Sequence, residues 1–151
     1  MTTKAAIFHN YPESDGAVFG QGRRDQIADR TDLYPDVVNA ANFDQHARGL
    51  IDTQVIFATW GMPRFTDHHF SCLPNLQAVF YAAGNVKSFA GPLLERDVIL
   101  VSAWDINAIP VAEMCLSQIL LSLRGYFRAT RNYRKIKTGQ AKAFPRSGVF
   151  G

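Results

Sequence analysis

The sequence predicts an α/β fold: a five-stranded, open parallel sheet in the order 2-1-3-4-5, followed by one long helix. Three observations carry that expectation. Five short apolar runs alternate with stretches of helical character between residues 4 and 104. Those runs are unbroken rather than alternating apolar and polar, which is the pattern of a parallel sheet covered on both faces. After them comes "NAIPVAEMCLSQILLSLRGY" (107–126), a helix apolar on more than one side. Strands alternating with helices in this way build the flavodoxin-like, doubly wound arrangement.

The elements follow in order. "KAAIF" (4–8) reads as a buried strand, and "NYPESDG" as the turn after it. Residues 17–30 suit a first helix ending in "QIADR". "DVVNA" (36–40) is the second strand, "FDQHARGL" a helix, and "TQVIFAT" (53–59) a third strand rich in β-branched residues. "WGMP" breaks that strand. "TDHHFSCL" is a short helix with Thr66 as its N-cap. "NLQAVFYA" is the fourth strand, "AGN" its turn, "VKSFAGPLLERD" a helix or turn, and "VILVSAW" (98–104) the fifth strand. The long helix is expected to turn in through Pro110, with Asn107 a few residues ahead of it.

Bulk composition narrows the function classes. A chain of 151 residues, 47% hydrophobic and 19% charged, is ordinary globular material long enough to bury a core. No unbroken run of about 18 apolar residues occurs, so no membrane span is expected. "MTTKAAIFHN" lacks the apolar centre of a secretion leader, which makes cytoplasm the expected location. Cys72 and Cys115 lack metal-ligand or CxxC spacing and read as reduced core thiols. From Arg124 to Arg146 there are eight Lys or Arg and no acid, whereas residues 1–123 carry eight bases and thirteen acids. A basic helix can contact nucleic acid. Without an accompanying motif it reads as a solvated face or one that meets an acidic partner, so a nucleic-acid partner is not expected.

Open α/β sheets bind ligands beyond the carboxyl ends of their strands. Three loops occupy that edge: "WGMP" (60–63), "AAGN" (82–85) and "AWDIN" (103–107). Gly61 and Gly84 either make tight turns or let backbone N–H groups approach an anion such as a carboxylate. Asn107 either caps the helix or presents its amide to a ligand. Other chemistries lack their residues. "FATWG" ends the third strand without the Asp of a phosphorylated receiver. "HNYPESDG" is not a phosphate cradle of the kind that holds FMN. Neither GxxxxGK[ST] nor GxGxxG occurs. His68 and His69 point to different sides of any element and read as surface residues, as do His9 and His46, so no metal site is expected.

Gly84-Asn85, "VILVSAW", Asn107, Val111-Ala112-Glu113 and "LLSLR" closing at Arg124 form an ordered set. It resembles the D-isomer-specific 2-hydroxyacid dehydrogenases, in which a G-x-D-N-like turn, a strand, an Asn and "VAE" opening a long apolar helix follow one another. The motifs cover residues 75–151, and residues 1–74 agree by strand order. "AAGNV" is shorter than the usual loop and lacks its Asp.

The resemblance implies a flavodoxin-like substrate domain over residues 1–106. Residues 107–151 would then hold the interdomain and dimer helix and the start of a Rossmann domain that binds NAD or NADP. It implies that the chain stops before the Rossmann fingerprint and before the family's catalytic Arg, Glu and His. No catalytic residue is therefore assigned, and the 151 residues alone are expected to be inactive. It implies that the substrate, a small 2-keto or 2-hydroxy acid, contacts Trp60, Gly61, Ala83, Gly84, Asn85 and Asn107. Asn107 would also face the nicotinamide. The 109–124 helix is expected to form a homodimer. The alternative is a non-enzymatic module that uses the same helix to oligomerise or to bind a partner.

Overall fold

Five parallel strands form the sheet β2-β1-β3-β4-β5 in the computed structural model, which describes all residues except Met1, Pro12, Ser14 and 140–151. The strands are β1 (Lys4–Phe8), β2 (Asp32–Val38), β3 (Val55–Ala58), β4 (Ala78–Tyr81) and β5 (Ile99–Ser102). β1 is central. Ala5, Ala6, Ile7 and Phe8 are all buried, which is why its residues are apolar without alternation. β2 begins four residues before the expected Asp36 and ends at Val38. The observed strand includes Pro35. It is accommodated because β2 is an edge strand and the β1–β2 register shifts between Ala5 and Ile7, where a missing N–H costs no regular ladder bond.

The helices between the strands are short. α1 spans Arg23–Ala28, α2 Phe43–His46 with a 3₁₀ turn Ala47–Leu50 after it, α3 Asp67–Cys72 and α4 Ala90–Leu94. The helix expected over 17–30 is split. A π-helical turn, Asp15–Phe19, precedes α1, and Gln21 (φ 58°) and Gly22 (φ 78°) interrupt the path between them. α3 begins at Thr66 as expected, and a residue read as exposed completes its cap. The Thr66 N–H donates to His69 Nδ1 at 3.2 Å, and the Thr66 hydroxyl lies 2.8 Å from the same nitrogen. This is the capping-box arrangement with imidazole in the place of Glu or Gln. His69 is therefore half-buried, stacked on Phe65 at 5.1 Å, rather than a surface histidine. His68 is exposed, 2.7 Å from Asp44.

One face of the sheet carries the core. Phe8, Ile56, Val79 and Tyr81 meet Phe43, Phe65, Leu73 and Leu93 from the helices and loops. The Phe8 ring lies edge-on to Phe43 at 6.3 Å and tilted against Phe65 at 6.1 Å. The other face departs from the expectation of two covered sides. It is closed over β1, but toward β4 and β5 it is open. Phe57 and Phe80 stack on each other at 5.6 Å, and Phe80, Ile99 and Val101 are exposed.

The chain divides into two units, Met1–Asn107 and Ala108–Gly151. The division falls inside α5 (Trp104–Leu123), so helix begins before the residues expected to lead into it. Pro110 lies within α5 and not at a turn before it. The missing N–H removes one intrahelical bond. Ile109, Val111, Met114, Leu116, Ile119, Leu120 and Leu123 are all exposed. Cys115 is exposed as well and is not a core thiol; Cys72 is half-buried. The expectation about membrane spans counted unbroken apolar residues. Over its whole length, α5 is long and apolar enough to cross a membrane, although Asp105, Glu113 and Gln118 interrupt it. Gly125 (φ 70°) ends α5, its N–H donating to Ser122 O at 3.0 Å. α6 (Tyr126–Lys137) follows and carries Arg128, Arg131, Arg134, Lys135 and Lys137. Lys142 and Arg146 of the basic run lie outside the described residues.

Candidate functional site

The loops after β1, β3, β4 and β5 share the carboxyl edge of the sheet, the edge where this architecture binds ligands. Two arrangements form there.

The first is the turn after β4. Ser102, the last residue of β5, places its hydroxyl 2.9 Å from Ala83 O and 2.8 Å from Gly84 O and donates to them. A trans peptide holds its C=O and N–H on opposite sides, and no peptide described here is cis. Two carbonyls drawn toward Ser102 therefore turn the N–H groups of Gly84 and Asn85 away from it. Among the described residues neither N–H has an acceptor. Consecutive N–H groups turned to one side are the kind of backbone arrangement that suits an anion. The Asn85 side chain is committed elsewhere: its oxygen accepts from Lys87 N–H at 3.0 Å, closing the turn. The Ala83 side chain is buried, so this residue presents backbone only.

Asn107 stands over the same turn. Its Nδ2 lies 3.0 Å from the position of a Cβ built on Gly84. Asn107 does not cap the helix. Its N–H donates to Ala103 O at 2.9 Å, inside the regular bonding of α5, and its side chain is left exposed beside Gly84. Of the predicted residues, then, Ala83, Gly84, Asn85 and Asn107 are brought together. Ser102 was missed; its only local signal is a hydroxyl at the end of an apolar strand.

The second arrangement is an open pocket of about 500 Å³ lined by Tyr11, Glu13, Ala17, Trp60 and Gly61. Trp60 and Gly61 were expected at the site; Tyr11, Glu13 and Ala17 come from the segment after β1 and were not. Gly84 and Asn107 do not line this pocket. Gly61 has φ +85°, and a Cβ there would fall 2.4 Å from Asn10 Cβ. Asn10 N–H also donates to Trp60 O at 3.2 Å, so the loops after β1 and β3 are locked together.

Each loop is entered past a buried polar residue. His9 and Thr59 are 4% and 0% exposed, and neither the His9 ring nitrogens nor Thr59 Oγ1 has a hydrogen-bond partner among the described residues. His9 stacks on Phe19 at 6.0 Å, and its Nε2 lies 3.6 Å from Asp15 Oδ1. It is thus a core residue, contrary to its reading as a surface histidine. His46 is also half-buried, 2.9 Å from the Tyr34 hydroxyl. None of the histidine–carboxylate pairs, His9–Asp15, His46–Asp36 and His68–Asp44, uses a residue of the β4 or β5 loops. Among the described residues no group of three potential ligands is placed to hold a metal. With no GxGxxG in the sequence, the residues present do not fit a dinucleotide's phosphates.

A parallel sheet in the order 2-1-3-4-5 followed by a long helix is a flavodoxin-like α/β fold. Solved structures that share the fold include D-isomer 2-hydroxyacid dehydrogenases and related oxidoreductases. The 2-hydroxyacid dehydrogenase of Ketogulonicigenium vulgare superposes with a TM-score of 0.59 at 16% identity, over 96% of this chain and 43% of its own. The D-lactate dehydrogenase of Aquifex aeolicus, crystallised with NAD and lactic acid, gives 0.58 at 14% identity, over 93% and 39%. The phosphoglycerate oxidoreductase of Vibrio cholerae gives 0.52 at 17%, over 98% and 44%. At these identities the likeness is one of fold. The chain spans about two fifths of the length of these enzymes. The sequence matches no family model and no curated protein.

Proposed function

We propose that residues 1–107 form the substrate-binding unit of an NAD(P)-dependent oxidoreductase that interconverts 2-keto acids and D-2-hydroxy acids. The observation that carries this reading is the pair of N–H groups at Gly84 and Asn85, turned away from Ser102 and without acceptors. They suit the carboxylate common to both substrate forms. The Asn107 amide beside Gly84 suits the substrate's neighbouring oxygen or the nicotinamide. The cofactor would supply the hydride, and the residues present here fit only the substrate side of that chemistry. Polarising the carbonyl and delivering the proton call for a cation and a positioned acid. In this reading neither role is assigned to a residue of the Gly84 turn, and the chain alone binds substrate without turning it over.

The test is a titration of the ¹⁵N-labelled chain with a 2-keto acid. Shifts in the Gly84 and Asn85 amides support the reading, and their absence overturns it. Oxidation of NADH by the chain with any 2-keto acid would overturn the inactivity. In the same reading the protein is cytoplasmic, and residues 109–124 make a homodimer. The exposure of that segment also favours a second reading, a non-enzymatic module that associates through α5. Association without any amide shift on adding a keto acid would select the second reading.

A further inference from the structure

The two edges of the sheet are built differently. The β2 edge carries exposed Asp32, Pro35 and Asp36, and its register with β1 shifts between Ala5 and Ile7. Charge, proline and an irregular ladder are the devices that keep an edge strand from pairing with another chain. β5, the opposite edge, has none of them. Ile99, Leu100, Val101 and Ser102 are uncharged and pair with β4 in unbroken register. Ile99 N–H donates to Gln77 O at 2.9 Å and Ala103 N–H to Tyr81 O at 3.1 Å, so the backbone of the odd-numbered residues faces β4. Leu100 and Ser102 turn their N–H and C=O groups the other way. Among the described residues those groups have no backbone partner.

Ile99 and Val101, 62% and 45% exposed, extend the open apolar face that Phe80 begins. A bare backbone edge beside a bare apolar face is satisfied by another uncharged strand with the same alternation, and a second copy of β5 is such a strand. A two-fold axis at Val101 sets Leu100 opposite the partner subunit's Ser102, each pair exchanging N–H and C=O bonds, and sets Val101 opposite its own copy. A strand this short gives direction and register to a dimer and does not hold one alone. α5 follows β5 with only Ala103 between them, so the helix expected to associate and the bare edge belong to one stretch of chain. Building on the homodimer through residues 109–124 proposed above, we propose that its two subunits also join edge to edge. Their β5 strands pair antiparallel, and one sheet runs through both.

Cysteine cross-linking reads the register. The antiparallel pair at residue 101 brings its Cα atoms to about 4.5 Å, within the span of a disulfide. Val101→Cys is made together with Cys115→Ser, so that the exposed thiol of α5 does not compete. Oxidised with diamide, it is expected to form a covalent dimer, and Cys115→Ser alone is not. Ile99→Cys in the same background should link about ten-fold less or weaker still, because its two copies would lie about 13 Å apart along the strands. Amide exchange on the parent needs no variant. Exchange at Leu100 and Ser102 should slow about ten-fold as the protein goes from micromolar to millimolar concentration, and Ile99, already bonded to β4, should change less. A dimer by light scattering that shows no Val101 link, equal links at both positions, or unchanged exchange at Leu100 and Ser102 overturns the edge pairing and leaves the α5 dimer standing. A parent that stays monomeric at high concentration overturns both.

Discussion

The side-chain nitrogen of Asn107 lies 3.0 Å from where a Cβ on Gly84 would stand, so the amide rests against the turn after β4 in space that a side chain at residue 84 would take. Gly84 is not among the residues with positive φ, so what it provides is space and not an unusual backbone conformation. Gly84→Ala is therefore expected to fold, with stability within about 0.5 kcal/mol of the parent. The added methyl displaces Asn107 and crowds the N–H seat. Keto-acid affinity, read from the Asn85 amide, should fall while the urea midpoint barely moves. A large loss of stability would show that the glycine serves the fold and not the site.

Ser102→Ala tests the same seat from beneath. It removes the donor shared by Ala83 O and Gly84 O, at a cost of about 1 kcal/mol in urea unfolding. With those carbonyls released, the two N–H groups are no longer aimed together. Titration shifts at Gly84 and Asn85 should vanish, whereas unchanged shifts would mean that the turn holds its shape without Ser102.

Gly61 behaves in the opposite way to Gly84. Its φ of +85° disfavours any L side chain, and a Cβ would lie 2.8 Å from Asn10 N and 2.4 Å from Asn10 Cβ, both part of a locked loop. Gly61→Ala should destabilise the chain by about 1–3 kcal/mol by urea or thermal melting. Parent-like stability would mean that the loops after β1 and β3 are free to separate.

His69 sets a pH dependence. Burial first, and then the neighbouring His68, hold its imidazole below the ordinary value of 6.5 in the folded state. The unfolded chain thus binds this proton more readily, and stability rises with pH across the interval. The contribution is fully present above about pH 6.5 and is lost as pH falls from there through the folded-state value. The physical event is loss of the Nδ1 lone pair that accepts from Thr66 N–H. His69→Gln keeps a capping side chain that does not titrate. The difference in melting temperature between parent and variant should change sign or slope just below pH 6.5, and parallel profiles would refute the role.

Residues of α5 predict self-association. Leu116 and Leu120, one helical turn apart, are 58% and 53% exposed within a long apolar helix. The parent is expected to show a concentration-dependent mass in light scattering, and Leu116→Gln with Leu120→Gln should return it to a monomer. A monomeric parent at high concentration would remove both the dimer and the module that associates through this helix.

The strands were legible because their signals are local. Val55–Ala58 and Ala78–Tyr81 are short apolar runs bounded by polar or turn residues, and the regular alternation of strand and helix points to a parallel sheet. Errors fell where tertiary context overrode a local rule. Pro35 sits in a strand because that strand is at an edge, and Pro110 sits in a helix because the turns around it hold. His9 and His69 are buried or half-buried although an isolated histidine reads as a surface residue. Trp60, Gly84 and Asn107 were expected at the carboxyl edge from loop position and motif, and the structure places them in the loops at that edge. Ser102 and Tyr11 were not, since nothing near either in the sequence marks it.

What the sequence determined by itself is the set of elements and the edge at which a ligand would sit, because apolar periodicity and turn residues act over a few positions. Only the tertiary structure decided which groups meet there. Ser102 reaches Ala83 and Gly84 across 19 and 18 residues of chain, and Tyr11 joins Trp60 from a loop two strands earlier in sequence. Those meetings depend on strand register: Tyr81 lies beside Ser102, and Phe8 beside Ala58, so the loops that follow begin side by side. Register is a property of the assembled sheet, set by packing and ladder bonds between segments far apart in the chain.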